Sequence, residues 1–403
     1  MNETFTGPLK GIKVVELGSI GPGPFCAMLL ADLGADVVRV DRASGGALVG
    51  PNADFRTELL HRGRRSIAVD LKHPEGAGVV LDLVESADVL IEGFRPGVTE
   101  RLGVGPDQCA ERNPGLVYGR MTGFGQDGPL AQAVGHDINY VALSGALSMI
   151  GRAGQPPTPP LSVVGDFGGG GMVLALGILG ALIERRSSGR GQVVDASMVE
   201  GAATLVTAFY GFVANGTWSL ERGTNIVDSG APFYDTYETA DGKWLSVGAI
   251  EPHFYADLVD LLGIADSLGD QNDQTKWPAM KRVFADAIKT RTRDEWLAAA
   301  EGLAPCIAPV LDAHEAPAHP HNVARGSFIE VDGIVQPAPT PRFSRTPATV
   351  DRRPPLPGEH SRDVAASWGI PSSRVDAWIE SGAVRHTAEQ GPGGPTTEGV
   401  DTR

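Results

Sequence analysis

His136 stands in Gly135-His-Asp-Ile-Asn-Tyr140, and Asp166 in Gly165-Asp-Phe-Gly-Gly-Gly-Gly171 just ahead of an apolar stretch. An imidazole and a carboxylate both exchange protons readily, and an acid and a base on opposite sides of one carbon would carry a proton across it. Each also has a plainer reading. A lone histidine is commonly a hydrogen-bonded structural group, and an aspartate ahead of a helix is commonly its N-cap. The four glycines that follow Asp166 weigh against the plain reading, because glycine inside a helix costs about 1 kcal/mol per residue relative to alanine. Close approach of a ligand to the backbone would account for that cost. Glu251, in Gly248-Ala-Ile-Glu-Pro252, precedes a proline at an expected helix start. Helix capping and proton chemistry are equally compatible with its position.

Other constellations are weaker. Gly18, Gly21 and Gly23 precede a helix and Asp41 ends the next strand, as in dinucleotide folds, but the order is G-x-x-G-x-G. Pro22 and Pro24 also remove N–H groups that a pyrophosphate would need, so a tight strand-to-helix turn is the better reading. Cations gather near expected strand ends: Arg39, Arg42, Arg62, Arg64, Arg65, Lys72, Arg95 and Arg101. The crevice outside the strand carboxyl ends is where open α/β sheets bind ligands, and Arg and Lys there suit phosphate oxygens. His314, Glu315, His319 and His321 lack the H-E-x-x-H spacing and sit among prolines, which argues against a metal site. Neither a Gly-x-Ser-x-Gly elbow nor a P-loop occurs.

The elements that must position these groups follow from periodicity. Apolar runs at Ile12–Leu17, Asp36–Asp41, Ser66–Asp70, Asp88–Ile91 and Leu116–Met121 alternate with helical stretches, which predicts parallel βαβ units in a doubly wound sheet. Two long helices are expected near Asp137–Ile150 and Gly170–Arg186. Residues 1–215 are read as a large Rossmann-like α/β domain, 216–231 as a linker and 232–325 as a small α+β domain opened by a hairpin about Asp241-Gly242. Residues 326–386 return to the large domain, and 387–403 lack large apolar side chains and are expected to be disordered. A net charge of −15 argues against nucleic acid as the main partner. Three scattered cysteines, no basic-apolar leader, and an apolar run at Met172–Ile183 too short for a membrane span give a cytoplasmic expectation.

Taken together the segments carry a resemblance. Gly11-Ile-Lys-Val-Val-Glu-Leu17, Ala31-Asp-Leu-Gly-Ala-Asp-Val-Val-Arg39, Ala68-Val-Asp-Leu-Lys72, Asp88-Val-Leu-Ile-Glu-Gly-Phe-Arg-Pro-Gly97 and Gly123-Phe-Gly-Gln-Asp-Gly-Pro129 are similar to the family III CoA-transferases, as are the segments around His136, Asp166 and Glu251. The resemblance covers roughly the first 350 residues. It implies the fold of that family, a large and a small domain in an interlocked homodimer, with each active site shared between chains. Transferases of the family use the aspartate as a nucleophile, forming an aspartyl-CoA thioester. They usually carry tyrosine where His136 stands and a glycine-rich loop around Glu251, whereas the racemases of the family resemble this chain in having His, Asp and Glu.

What the resemblance then implies is inversion at the α-carbon of a 2-methylacyl-CoA, with transfer of CoA to a free carboxylate as the alternative. His136, Asp166 and Glu251 would be catalytic, Glu251 reaching His136 from the second chain. Ile20, Arg42, Val69, Leu71, Lys72, Gly93, Arg95, Arg101, Met121 and Gly123 would hold CoA, which enters as part of the substrate, with no separate cofactor and no metal. N–H groups near Gly168–Gly170 would face the enolate oxygen.

Overall fold

The computed structural model describes residues 6–44, 54–350 and 352–385. The expected disordered tail, 387–403, lies outside them. Six parallel strands form the centre: β1 (Lys13–Leu17), β2 (Asp36–Arg42), β3 (Arg65–Val69), β4 (Val89–Glu92), β5 (Val117–Thr122) and β6 (Val193–Ser197). Their spatial order is β3-β2-β1-β4-β5-β6, and a short strand at Val384–Arg385 pairs antiparallel with β3 at the edge. This is the doubly wound order, with its reversal point between β1 and β4. Successive residues of a strand face opposite sides. Val14, Val37, Val89 and Val117 enter one apolar core, and Val15, Val38, Leu90 and Tyr118 the other. Burial on both faces is why these strands read as continuous apolar runs in the sequence.

Helix α1 (Pro22–Asp32) follows β1 with Pro22 at its start, where a missing N–H leaves no intrahelical bond unmade. Helices α2 (Gly76–Val84), α3 (Val98–Arg101) and α4 (Pro106–Arg112) complete the early crossovers. The stretch expected as one helix over 137–150 is two, α5 (Asp137–Leu143) and α6 (Ala146–Met149), separated at Gly145 with φ of 86°. The second expected helix begins earlier than its glycines suggested. Val163–Met172 winds as a π-helix and continues as α7 (Val173–Ser188). The whole run, Val163–Ser188, is 26 residues and is long and apolar enough to cross a membrane by length and composition. The expectation of too short a run is corrected on that point. One side of it is a core face: Leu174, Ala175, Ile178, Ala181 and Leu182 are buried in the cluster that covers the sheet.

The chain divides into two compact units. The first comprises Met1–Tyr140, Val163–Ala202 and Phe328–Arg403, and the second Val141–Ser162 and Ala203–Ser327. The boundary drawn at 215 and the linker at 216–231 fall inside the second unit. Within that unit, β7 (Tyr234–Glu238) and β8 (Trp244–Gly248) form the expected hairpin, and a strand at Ile307–Pro309 adds to β8. The segment that returns to the first unit forms a further hairpin, Phe328–Val331 with Ile334–Pro337. It then supplies Val364, Trp368, Val375 and Trp378 to the core under β1, β2 and β3.

Candidate active site

A cleft of about 670 Å³ opens at the reversal point of the sheet. Its walls come from the residues after β1 (Ile20 to Gly23), after β4 (Gly93 to Pro96) and from the end of β5 onward (Met121 to Phe124), from the segment 133–137 leading into α5, and from Asp166. This is where doubly wound sheets leave room for a ligand, because the crossovers on the two sides of the reversal run to opposite faces. His136 and Asp166, 30 positions apart in sequence, line this one cleft.

The backbone around each group is fixed. The His136 N–H donates to Asn139 Oδ1 at 3.0 Å, and the Asn139 N–H donates back to the His136 carbonyl at 2.8 Å. The Asp166 N–H donates to Asp137 Oδ1 at 2.8 Å. Asp166 lies within the π-helix, not ahead of it, so the N-cap reading fails. π-Helical turns are rare and often mark functional sites. The turn after β1 comes close to it: a Cβ placed on Gly21, whose φ is 73°, would lie 3.2 Å from Asp166 Oδ2. The positive φ favours glycine there, and a side chain would in addition press on the Asp166 carboxylate.

The glycines after Asp166 have a different role from the one expected. A Cβ on Gly169 would lie 2.6 Å from the Ala202 nitrogen, one on Gly170 would lie 2.9 Å from Pro22 Cβ, and one on Gly171 would lie 2.7 Å from the Pro22 carbonyl oxygen. They let the π-helix seat against α1 and the helix starting at Met198. Gly169 and Gly170 are buried and do not line the cleft, so they are not its oxyanion donors.

Tyr140 forms a buried wall of the cleft. Its ring meets Phe124 edge-on at 5.0 Å between centroids, and its hydroxyl donates to the Gly135 carbonyl. Gly123 must be glycine, since a Cβ there would lie 2.1 Å from the Tyr140 ring. Burial, together with the charges of Asp166 and Asp137, pushes the Tyr140 hydroxyl pKa up. Asp137, Asn139 and Tyr140 were present in the segment that drew attention to His136, but nothing in their types announced these contacts.

The cations divide in two. Arg39, Arg62, Arg64 and Arg65 are buried and paired, which removes them from the expected phosphate set. Arg39 meets Glu16 at 2.6 Å and Asp41 at 2.8 Å, Arg62 meets Asp32 at 2.6 Å, and Arg65 meets Asp36 at 2.7 Å. Arg64 pairs with Glu16 at 3.1 Å and donates to the Leu60 and Pro24 carbonyls. With Arg39 donating to the Ser19 carbonyl at 3.3 Å, these side chains hold both ends of the turn that carries Ile20 and Gly21. Arg42, Lys72, Arg95 and Arg101 are exposed, and Arg95 lines the cleft with Ile20, Gly93, Met121 and Gly123. Val69 and Leu71 put their side chains into the core, so contact with a ligand there falls to their backbone.

Glu251 belongs to the second unit. It occupies the N-cap position of α8 (Pro252–Leu262), yet its exposed side chain makes no capping bond, so capping does not explain it. The second unit also holds an apolar cleft of about 750 Å³ lined by Met149, Ile150, Val206, Phe209 and Trp218. Its arginine, Arg152, is engaged with Asp235 at 2.8 Å. Among the described residues no group of three or more His, Cys, Asp or Glu is placed to hold a metal.

The model of CoA-transferase family III matches residues 9–361. The chain belongs to this family. It is 48% identical over 371 residues to the α-methylacyl-CoA racemase of Mus musculus, covering 91% of this chain and 95% of the relative. Identity to the α-methylacyl-CoA racemase of Homo sapiens is 46% over 385 residues, covering 94% and 99%. The fold matches that of a CaiB/BaiF family protein from Brucella suis with a TM-score of 0.79 at 28% identity, over 90% of this chain and all of the other. The doubly wound large unit and the small α+β unit are thus those of the family.

Proposed function

We propose that the protein epimerises (2R)- and (2S)-2-methylacyl-CoA thioesters by removing the α-proton on one face and returning a proton on the other. The observation that carries this reading is the presence of His136 and Asp166 in the same cleft, on separate elements. Similarity to two racemases over nearly the full chain supports it.

The α-hydrogen of a thioester is weakly acidic, and its removal leaves negative charge on the thioester oxygen. In one direction the Asp166 carboxylate takes the proton, the C–H electron pair moves into the enolate, and a protonated His136 delivers its proton to the opposite face. The reverse direction exchanges the roles. As the first residue of α5, Asp137 has an N–H with no intrahelical acceptor, and it lines the cleft; we assign it to the enolate oxygen. CoA is held by Arg95 and Gly93 at the cleft and by the exposed Arg42, Lys72 and Arg101 toward its phosphates. Binding this remote handle places the α-carbon between the two groups.

Glu251 orients His136 from the partner chain of an interlocked homodimer in this reading. A stripe on the long helix supports burial against a second copy: Met172 is 56%, Leu176 71% and Ile183 67% exposed. Transfer of CoA through Asp166 alone is the competing reading, and it gives His136 no task. Chiral analysis of a (2R)-2-methylacyl-CoA incubated without any acceptor acid separates them: the racemase produces the epimer, and a transferase leaves the substrate unchanged.

A further inference from the structure

We infer that Asp137 is a positioning residue whose carboxylate keeps Asp166 in register with His136, so that proton removal and proton return stay coupled. This rests on the two-base reading and adds a residue to which no role beyond its backbone N–H has been given.

Asp137 follows His136 directly and is 9% exposed. Its Oδ1 accepts the Asp166 N–H at 2.8 Å, within the range of a charge-assisted bond. The residues joined are 29 apart in sequence, and the bond links the start of α5 to the π-helix. Behind Asp137, His136 is pinned through its exchange of hydrogen bonds with Asn139. On the far side, a Cβ on Gly21 would come within 3.2 Å of Asp166 Oδ2, so the turn after β1 leaves that carboxylate little spare room. Asp166 is therefore gripped between a side chain that is part of the His136 segment and the turn after β1.

Burying a carboxylate costs desolvation, and the charges of Asp137 and Asp166 both reach Tyr140. Spending a carboxylate on a single backbone N–H makes sense where the placement of that backbone matters. Two groups acting on opposite faces of one carbon need their separation held closely. A misplacement of about 1 Å can lower a rate about 10²-fold. The tether fixes that separation without touching the substrate carbon.

The test compares wild type, Asp137→Ala and Asp137→Asn in heavy water with each epimer of a 2-methylacyl-CoA. Deuterium is followed both in recovered substrate and in the epimer formed. In Asp137→Ala, epimerisation should fall about 10²-fold. Exchange into the recovered epimer whose α-hydrogen faces His136 should persist, because that half of the site is still pinned by Asn139. KM for the thioester should stay close to wild type. Asp137→Asn keeps an acceptor oxygen and should restore most of the coupling. Equal loss of exchange and epimerisation for both epimers in Asp137→Ala would overturn the proposal, as would full epimerisation, or an Asn variant no better than the Ala variant. A wild type that neither exchanges nor epimerises overturns the two-base reading and this proposal with it. A defect confined to the Asp137 variants beside an active wild type bears on the tether alone.

Discussion

Arg120 and Glu92 form an ion pair on adjacent parallel strands, Nε to Oε1 at 2.8 Å, with side chains 8% and 0% exposed. The other oxygen of Glu92 accepts the Phe94 N–H at 2.7 Å, and Arg120 also meets Glu100 at 2.8 Å. Burial pushes the Glu92 pKa up, opposed by the Phe94 N–H and by Arg120. The pair thus shapes the loop that brings Gly93 and Arg95 to the cleft.

Removing one partner leaves a buried charge without its counterion, which typically costs about 3–5 kcal/mol. Arg120→Met should lose about that much in urea unfolding and should weaken CoA-thioester binding, because the Glu92 loop loses its anchor. Combining it with Glu92→Leu should recover part of the stability, since no charge is then stranded. Two single losses that simply add would contradict the pairing.

Glu251 holds an N-cap position without capping. A working cap is worth about 1 kcal/mol, so Glu251→Ala should change unfolding free energy by less than about 0.5 kcal/mol. If it orients His136, kcat should fall on the order of 10²-fold with CoA-thioester affinity retained. Loss of stability with full activity would make it a structural residue.

His61 carries an acid sensitivity. Burial, with Arg39 and Arg64 nearby, holds its pKa down at about 2, against an ordinary 6.5. Above pH 6.5 both folded and unfolded chains carry it neutral, and it contributes nothing to the pH dependence. Below that, the unfolded chain takes a proton that the folded chain refuses. Stability therefore falls by about 1.4 kcal/mol per pH unit, reaching about 2 kcal/mol at about pH 5. His61→Gln should flatten the decline in urea midpoint between about pH 7 and 5, and an unchanged slope would assign the acid sensitivity to other groups.

The sheet was legible because strands buried on both faces are rich in valine and isoleucine, even where an arginine interrupts them as in β2 and β5. β6 was not: Val193-Val-Asp-Ala-Ser197 is short and partly polar, and pairing with β5 decides it. The His136 and Asp166 segments stood out by residue type. Why four glycines follow Asp166 did not, because their neighbours are the backbones of α1 and of Gly201–Ala202. The buried arginines misled for a related reason. A sequence displays charge, while the partners Glu16, Asp32 and Asp36 lie on other elements. For Glu251 the position before Pro252 fits two readings, and the cap geometry removes only the capping one.

The most direct measurement is the fate of the α-hydrogen during a limited turnover in heavy water, starting from pure (2R)-2-methylacyl-CoA with no acceptor acid. The two-base account expects the (2S) epimer carrying one deuterium at the α-carbon, with His136→Ala and Asp166→Ala each unable to form it. Formation of neither deuterated substrate nor epimer by the wild-type protein, or full epimerisation by either variant, would contradict it.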